Sequence, residues 1–170
     1  MIKQKTSRHR RGRLEDALGF LLADATRTMN RAIAARLTWH GLPLGLFPFL
    51  RALCEQDGVS QKDLADRLRF KGPTAVAAIR QLERGGLVHR VSDPDDGRRS
   101  YLYVTTKGRE LYDKVIIEVE DVMSLCTRAF SRAEHQQFTR FLKRMRGNLI
   151  AGAAEPLGHA TPIVLRHPIP

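Results

Sequence analysis

From Leu14 onward, apolar and polar residues alternate with a helical rhythm. Leu14, Leu18, Leu21, Leu22, Ala25, Met29, Ala32, Ile33 and Leu37 recur every three or four positions. That spacing predicts one long amphipathic helix with a single apolar stripe. Gly41 ends it. Pro43 suits a first helical position, so LGLFPFLRALCEQ predicts a second helix, kinked or one hydrogen bond short at Pro48. Asp57-Gly58 is a turn. Ser60 is then placed to cap a helix reaching about Leu68, with Asp63 three residues on and Val59 and Leu64 set for a hydrophobic staple. RFKG is a short connection. Pro73 opens PTAVAAIRQLER, whose inward positions are Ala75, Ala78, Ile79 and Leu82, and Gly85-Gly86 closes that helix.

Two strand-like runs follow, GLVHRV and SYLYVT, separated by a loop ending in Arg98 and Arg99. Asp96-Gly97 offers the positive φ angles of a tight hairpin turn. Thr105 or Thr106 caps a helix over about 106–127, with Leu111, Val115, Val119, Val122 and Cys126 as its stripe. Ser131 and Glu134 form a capping box for a last helix whose apolar side is Phe138, Phe141, Leu142, Met145 and Leu149. The fold class is mainly α with a small β-wing. A helix, a tight turn, a second helix and a hairpin, in that order, make a winged helix-turn-helix.

Charge narrows the partners. Lysine and arginine exceed aspartate and glutamate by eleven, which favours a polyanion, either nucleic acid or an anionic membrane surface. No apolar run approaches bilayer-spanning length, and no secretory apolar core follows the basic N-terminus, so a cytoplasmic protein is expected. The six histidines are scattered and show no H-E-x-x-H pattern; Cys54 and Cys126 lack metal-ligand spacing; no glycine-rich phosphate loop follows a strand. No enzyme, metal or cofactor is expected, and the two cysteines are expected as buried free thiols. Glu55 and Asp57 beside Cys54 disfavour a reactive thiolate.

In a winged helix-turn-helix the second helix of the pair enters the DNA major groove, about 12 Å wide, with its unpaired N-terminal N–H groups turned toward phosphate. An arginine at the hairpin tip, Arg98 or Arg99, can then probe the minor groove. On its own, the same tip is also what a solvated turn looks like.

From Leu42 to about Thr127 the chain resembles the MarR (multiple antibiotic resistance regulator) family of bacterial transcription factors. The resemblance rests on LPLGLFPFLRALCE, on VSQKDLADRLRFKGPTAVAAIRQLERGGLVHRV and, most specifically, on SDPDDGRRSYLYVTTKGREL. Asp93, Pro94, Asp96 and Arg98 match the family's Asp-Pro-x-Asp-x-Arg, and Thr105 and Gly108 its Thr-x-x-Gly. The resemblance implies that Asp96 steadies Arg98 and that Arg98 inserts into the minor groove. It also implies a homodimer built from the N-terminal and two C-terminal helices, which fits stripes too large for one small winged domain. The expected organisation is a basic disordered tail over 1–13, an N-terminal dimerisation helix over 14–41, a DNA-binding domain over 42–105, C-terminal dimerisation helices over 106–154 and a Pro-rich tail over 155–170.

The DNA-binding set expected from this reading is Ser60, Gln61, Lys62, Lys71, Thr74, Val76, Ala77, Arg80, Gln81, Asp96, Arg98 and Arg99. The recognition face departs from the family habit of polar or basic side chains. Val76 and Ala77 can pack only on thymine methyls, which leaves base reading to Thr74, Arg80, Gln81 and Lys71. Arg80 has an alternative use, pairing with Glu83 or Glu55. The resemblance further implies a small aromatic or phenolic effector bound where the dimer helices meet the winged domain. Met29, Ile33, Arg36, Trp39, His40, Phe47 and Arg51 fall in that region, and Trp39-His40 with Arg36 and Arg51 suits an aromatic anion. The expected function is a sequence-specific DNA-binding regulator, a repressor of a pseudopalindromic operator on double-stranded DNA released by such a ligand. The alternative is a nonspecific architectural DNA-binding protein without an effector, which the bland recognition face keeps open.

Overall fold

The computed structural model describes residues 13–152. The tails expected over 1–13 and 155–170 lie outside the described residues, apart from Arg13. The chain divides into two compact units between Cys126 and Thr127.

The first unit opens with a one-turn 3-10 helix, Leu14–Asp16, and α1, Leu18–Trp39. Helix α1 therefore starts later than its stripe predicts: Ala17 is extended at φ −71°, ψ 125°, and the short turn closes on the Arg13 and Leu14 carbonyls. The helix expected over 44–56 is also two pieces, a 3-10 turn at Leu44–Leu46 and α2, Phe47–Glu55. The kink expected at Pro48 does not form. Pro48 lies in the first turn of α2, where its missing N–H has no helical partner to lose.

Strand β1 is Val59–Ser60, followed by α3, Gln61–Leu68, and α4, Gly72–Arg84. Strands β2, Val88–Ser92, and β3, Ser100–Val104, form the hairpin. The sheet has three strands rather than the expected two, in the order β1-β3-β2, all antiparallel; β1 joins through Val59 opposite Leu102 and Ser60 opposite Tyr101. The caps form as the sequence predicts. Ser60 Oγ accepts from the Asp63 N–H at 3.1 Å. Gly86, at φ 67°, lets the Leu87 N–H reach the Leu82 carbonyl at 2.9 Å.

Helix α5, Thr106–Cys126, begins at a tight seam. Thr105, not Thr106, is its cap: Thr105 Oγ1 accepts from the Gly108 N–H at 3.0 Å and donates to the Gly86 carbonyl at 2.8 Å. The Thr105 N–H donates to the Leu87 carbonyl at 3.0 Å. A Cβ on Gly108 would lie 2.1 Å from that same carbonyl oxygen, so only glycine fits.

One core joins these elements. Leu37 of α1, Phe49, Leu50 and Leu53 of α2, Leu64 of α3, Ile79 and Leu82 of α4, Leu102 of β3 and Val115 of α5 are fully buried in it. Each large aliphatic side chain there contributes about 1.5–3 kcal/mol over its exposed state. The inward positions expected for α4, namely Ala75, Ala78, Ile79 and Leu82, are all buried. Only the C-terminal half of the α1 stripe is covered: Ile33 and Leu37 are buried, whereas Leu14, Leu18 and Leu21 are exposed. In α5, Val115, Val119 and Val122 are buried. Cys126 is exposed and Cys54 half-buried, which corrects the expectation of two buried thiols.

The second unit contains α6, Arg132–Gly152. Its capping box forms: the Ser131 N–H donates to Glu134 Oε2 at 2.8 Å, and Ser131 Oγ accepts from the Glu134 N–H at 3.3 Å. Phe130 meets Phe138 edge to face at 5.7 Å. No residue of α6 is buried; Phe138, Phe141, Leu142 and Leu149 are exposed.

Candidate nucleic-acid interface

Burial of one side of α4 decides what the other side offers. Thr74, Ala77, Arg80 and Gln81 are exposed, Val76 is half-buried, and Lys71 is exposed just before the helix. Both acids considered as partners for Arg80 are taken. Glu83 Oε1 is held by Arg90 Nε at 3.1 Å. Glu55 is shared by Arg51, at 3.0 Å, and Arg67, at 2.5 Å. The Arg80 guanidinium has no partner among the described residues.

The start of α3 and the wing tip face one groove of about 460 Å³, where Ser60, Gln61 and Lys62 stand opposite Arg98 and Arg99, with Asp63, Ser100 and Tyr101 completing the lining. Five of the twelve expected DNA-binding residues thus meet there. They are not equivalent. The Ser60 hydroxyl is occupied by Asp63, accepting from its N–H and donating to Oδ2 at 2.7 Å. Gln61 Oε1 accepts from Arg90 Nη2 at 3.2 Å, which leaves its amide NH2 as the free polar group. Lys62 and Arg98 are exposed and unpaired among the described residues.

Two aspartates stiffen the wing tip. Asp93 Oδ1 accepts from the Asp95 N–H at 2.9 Å and the Asp96 N–H at 3.3 Å, and Oδ2 accepts from the Tyr101 hydroxyl at 3.2 Å. The Asp95 N–H is the main reason the Asp93 carboxyl sits below the ordinary carboxylate range; desolvation opposes it, and the Asp96 N–H, Tyr101 and Arg99 add to the lowering. This contribution is complete above the ordinary carboxylate value and is lost only as pH falls through the lowered one. Asp96 holds Arg98 through the backbone. Its Oδ1 accepts from the Arg98 backbone N–H at 3.1 Å, while Oδ2 faces Arg99 Nε at 3.4 Å. It fixes the Arg98 backbone and leaves the Arg98 guanidinium free. The turn does not use a positive φ at Gly97: among the described residues positive φ occurs at Gly41, Gly58, Gly86 and Arg69. The aspartate side chains and the pairing of Asp93 with Arg99 close the loop instead.

Arg90 is a residue that sequence reasoning missed. From β2 its guanidinium reaches Glu83 on α4, Gln61 on α3 and Ser100 Oγ on β3 at 3.1–3.2 Å. One side chain therefore ties the recognition helix, the preceding helix and the wing together. No local spacing announces it, because its three partners become neighbours only once the sheet has formed.

Two of the seven residues expected to hold an effector, Phe47 and Arg51, share a groove among the described residues. Met29 packs on the core, and Ile33 is part of it. Arg36 Nη1 lies 2.6 Å from Glu118 Oε2 of α5, and His40 Nε2 lies 4.0 Å from the other carboxylate oxygen. Trp39 is 83% exposed, with no ring partner among the described residues. Phe47 and Arg51 instead line a separate groove of about 380 Å³ with Pro48, Ala52, Glu55, Arg67 and Leu68. Its two arginines against one carboxylate leave a single net positive charge.

Burial pushes the Cys54 thiol up to about 11; Asp113, Asp57 and Glu55 add to the rise and Arg109 opposes it. At pH 8 about one Cys54 in a thousand is thiolate, and the thiolate is the reactive form. Iodoacetamide at pH 8 should therefore label exposed Cys126 well before Cys54, as read by peptide mass spectrometry. Equal labelling rates would contradict the burial argument.

No group of three or more His, Cys, Asp or Glu side chains among the described residues is arranged to hold a metal, and none of their helices is long and apolar enough to cross a membrane.

A sequence model of the MarR family matches residues 40–99. The regulator TtmR of Methylorubrum extorquens is 30% identical over 114 residues, 67% of this chain and 58% of TtmR, so the chain spans less than two thirds of that relative. The homoprotocatechuate degradative operon repressor of Escherichia coli is 25% identical over 76% of this chain and 88% of the repressor. Among solved structures, MepR of S. aureus in complex with DNA superposes with a TM-score of 0.73 at 25% identity, covering 78% of this chain and 98% of MepR. CouR of Rhodococcus jostii, bound to p-coumaroyl-CoA, gives 0.65 at 26% identity, over 85% of this chain and 97% of CouR.

Proposed function

This chain belongs to the MarR family of winged helix-turn-helix DNA-binding transcriptional regulators, and on that premise we propose that it is a homodimeric repressor of a pseudopalindromic operator, released by a small aromatic acid. The observation that carries this reading is the free Arg98 guanidinium on a stiffened wing that faces the start of α3. Lys62, Lys71, Arg80 and Arg98 supply exposed cations for phosphate and groove. Thr74 and Gln81, with Arg80, supply the polar contacts to base edges, and Val76 and Ala77 the apolar ones. Gln61 donates through its free amide. Ser60, Asp96 and Arg99 hold the groove in shape.

The dimer reading is supported by apolar surface that the monomer leaves in water. Leu14, Leu18 and Leu21 at one end of the chain and Phe138, Phe141, Leu142 and Leu149 near the other are all exposed. Faces of that kind mark association surfaces.

The effector reading is supported by the groove containing Phe47 and Arg51. A carboxylate entering it can take a guanidinium from Glu55 while its ring lies against Phe47 and Pro48. Two of the proteins named above fit this reading: one is the repressor of the homoprotocatechuate degradative operon, and CouR is bound to p-coumaroyl-CoA. Salicylate and hydroxylated benzoates titrated into the protein–operator complex should release the DNA and change the fluorescence of Trp39, the one tryptophan. DNA retention and constant fluorescence across the series would overturn the effector reading.

A further inference from the structure

The break between α3 and α4 is made by a residue ill suited to it. Arg69 sits at φ 58°, ψ 33° and is the one non-glycine residue with positive φ among the described residues. In that conformation a Cβ crowds the following carbonyl, so glycine, or sometimes asparagine, is the usual occupant after a helix. The conformation itself is needed. It lets the Arg69 N–H reach the Asp66 carbonyl at 3.1 Å and the Phe70 N–H reach the Ala65 carbonyl at 3.0 Å, closing α3. Phe70 is held against Phe49, ring centroids 5.0 Å apart.

None of this uses the Arg69 side chain. It is exposed and has no hydrogen bond or ion pair with any described residue. Arg67, two positions earlier, is by contrast tied to Glu55 and the Ala52 carbonyl. Glycine would make the same turn with less strain, so the turn does not explain the arginine. A side chain kept at a strained position without any partner in its own chain points to a partner outside it. Its neighbours indicate which. Arg69 lies three residues before Gly72, the first residue of α4, and Lys71 is a second exposed cation on the same connection.

We propose that Arg69 is a phosphate-binding residue of the DNA interface, gripping the backbone that flanks the groove entered by α4. A guanidinium is suited to this, because its planar fork matches two phosphate oxygens. The assignment rests on the operator reading given above.

Arg69→Gly and Arg69→Asn remove the cation while accepting the left-handed conformation. Both should keep or raise the unfolding midpoint, yet weaken binding to operator DNA by about tenfold and make log K against log salt shallower by about 0.9 for each lost contact. Arg69→Lys should retain most of the slope. Parental affinity and slope in both variants would overturn the assignment. So would weaker binding accompanied by a lowered midpoint, which would place the role of Arg69 in folding. A parent chain that binds no duplex DNA would instead overturn the operator reading, and this assignment with it.

Discussion

Gly108→Ala lowers the unfolding midpoint by about 2–12 °C. The added Cβ lies 2.1 Å from the Leu87 carbonyl oxygen and 2.9 Å from Val104 Cγ2. A backbone oxygen cannot swing aside as a flexible side chain can, and this one already accepts from the Thr105 N–H. Overpacking of this kind costs about 1–3 kcal/mol, and losing the hydrogen bond adds about 1 kcal/mol. The better helix propensity of alanine returns at most about 1 kcal/mol. A net loss of about 1–3 kcal/mol corresponds to the stated shift for a chain of this size. Gly147→Ala is the control, because its Cβ meets nothing within 4 Å; it should be neutral or slightly stabilising. Circular dichroism melting of both variants checks the pair. An unshifted Gly108→Ala midpoint would mean that α5 is not seated against Leu87. Because the same seam anchors the end of β3, the variant should also bind DNA less tightly.

Arg98→Ala has the largest expected effect on binding with the fold unchanged. The side chain is exposed and unpaired among the described residues, so the midpoint should stay within a degree or two. A charge-assisted contact to DNA contributes about 1.5–3 kcal/mol, which is about ten- to a hundredfold in affinity. Where the wing reads phosphate and groove shape, the loss should be similar across related operators and the salt slope should fall by about one. Arg99→Ala should cost less, because Arg99 already faces Asp96 at 3.4 Å. Operator affinity unchanged by Arg98→Ala, measured by fluorescence anisotropy over a salt series, would refute the wing mechanism.

The helices and caps were legible because they are local. Ala75, Ala78, Ile79 and Leu82 share a face by spacing alone, and the bonds of Ser60, Ser131 and Gly86 lie within a few residues of each cap. Strand β1 was not legible, because two residues carry no alternation and Val59 and Ser60 become a strand only opposite Leu102 and Tyr101. At the candidate interface, the aspartate-rich tip could be read as a turn. Its mechanism could not, since it depends on which carboxylate oxygen meets which N–H. Trp39 belongs to the same class. Its place beside His40 suggested a surface for an aromatic anion, and it projects from the end of α1 into solvent. The long apolar stripe of α1 was legible as well, and its N-terminal part, Leu14, Leu18 and Leu21, stays exposed among the described residues.

The recognition face is where operator-specific and architectural binding part company, since Val76 and Ala77 add no hydrogen bonds to Thr74, Arg80 and Gln81. The direct test compares the purified protein on the intergenic DNA beside its own gene with scrambled DNA of equal length, near physiological salt. An operator-binding homodimer should prefer the intergenic DNA by about a thousandfold or more and protect two symmetric half-sites about one helical turn, ~10 bp, apart. Equal affinity for the two DNAs, falling steeply with salt and leaving no symmetric footprint, would contradict sequence-specific regulation and favour architectural binding.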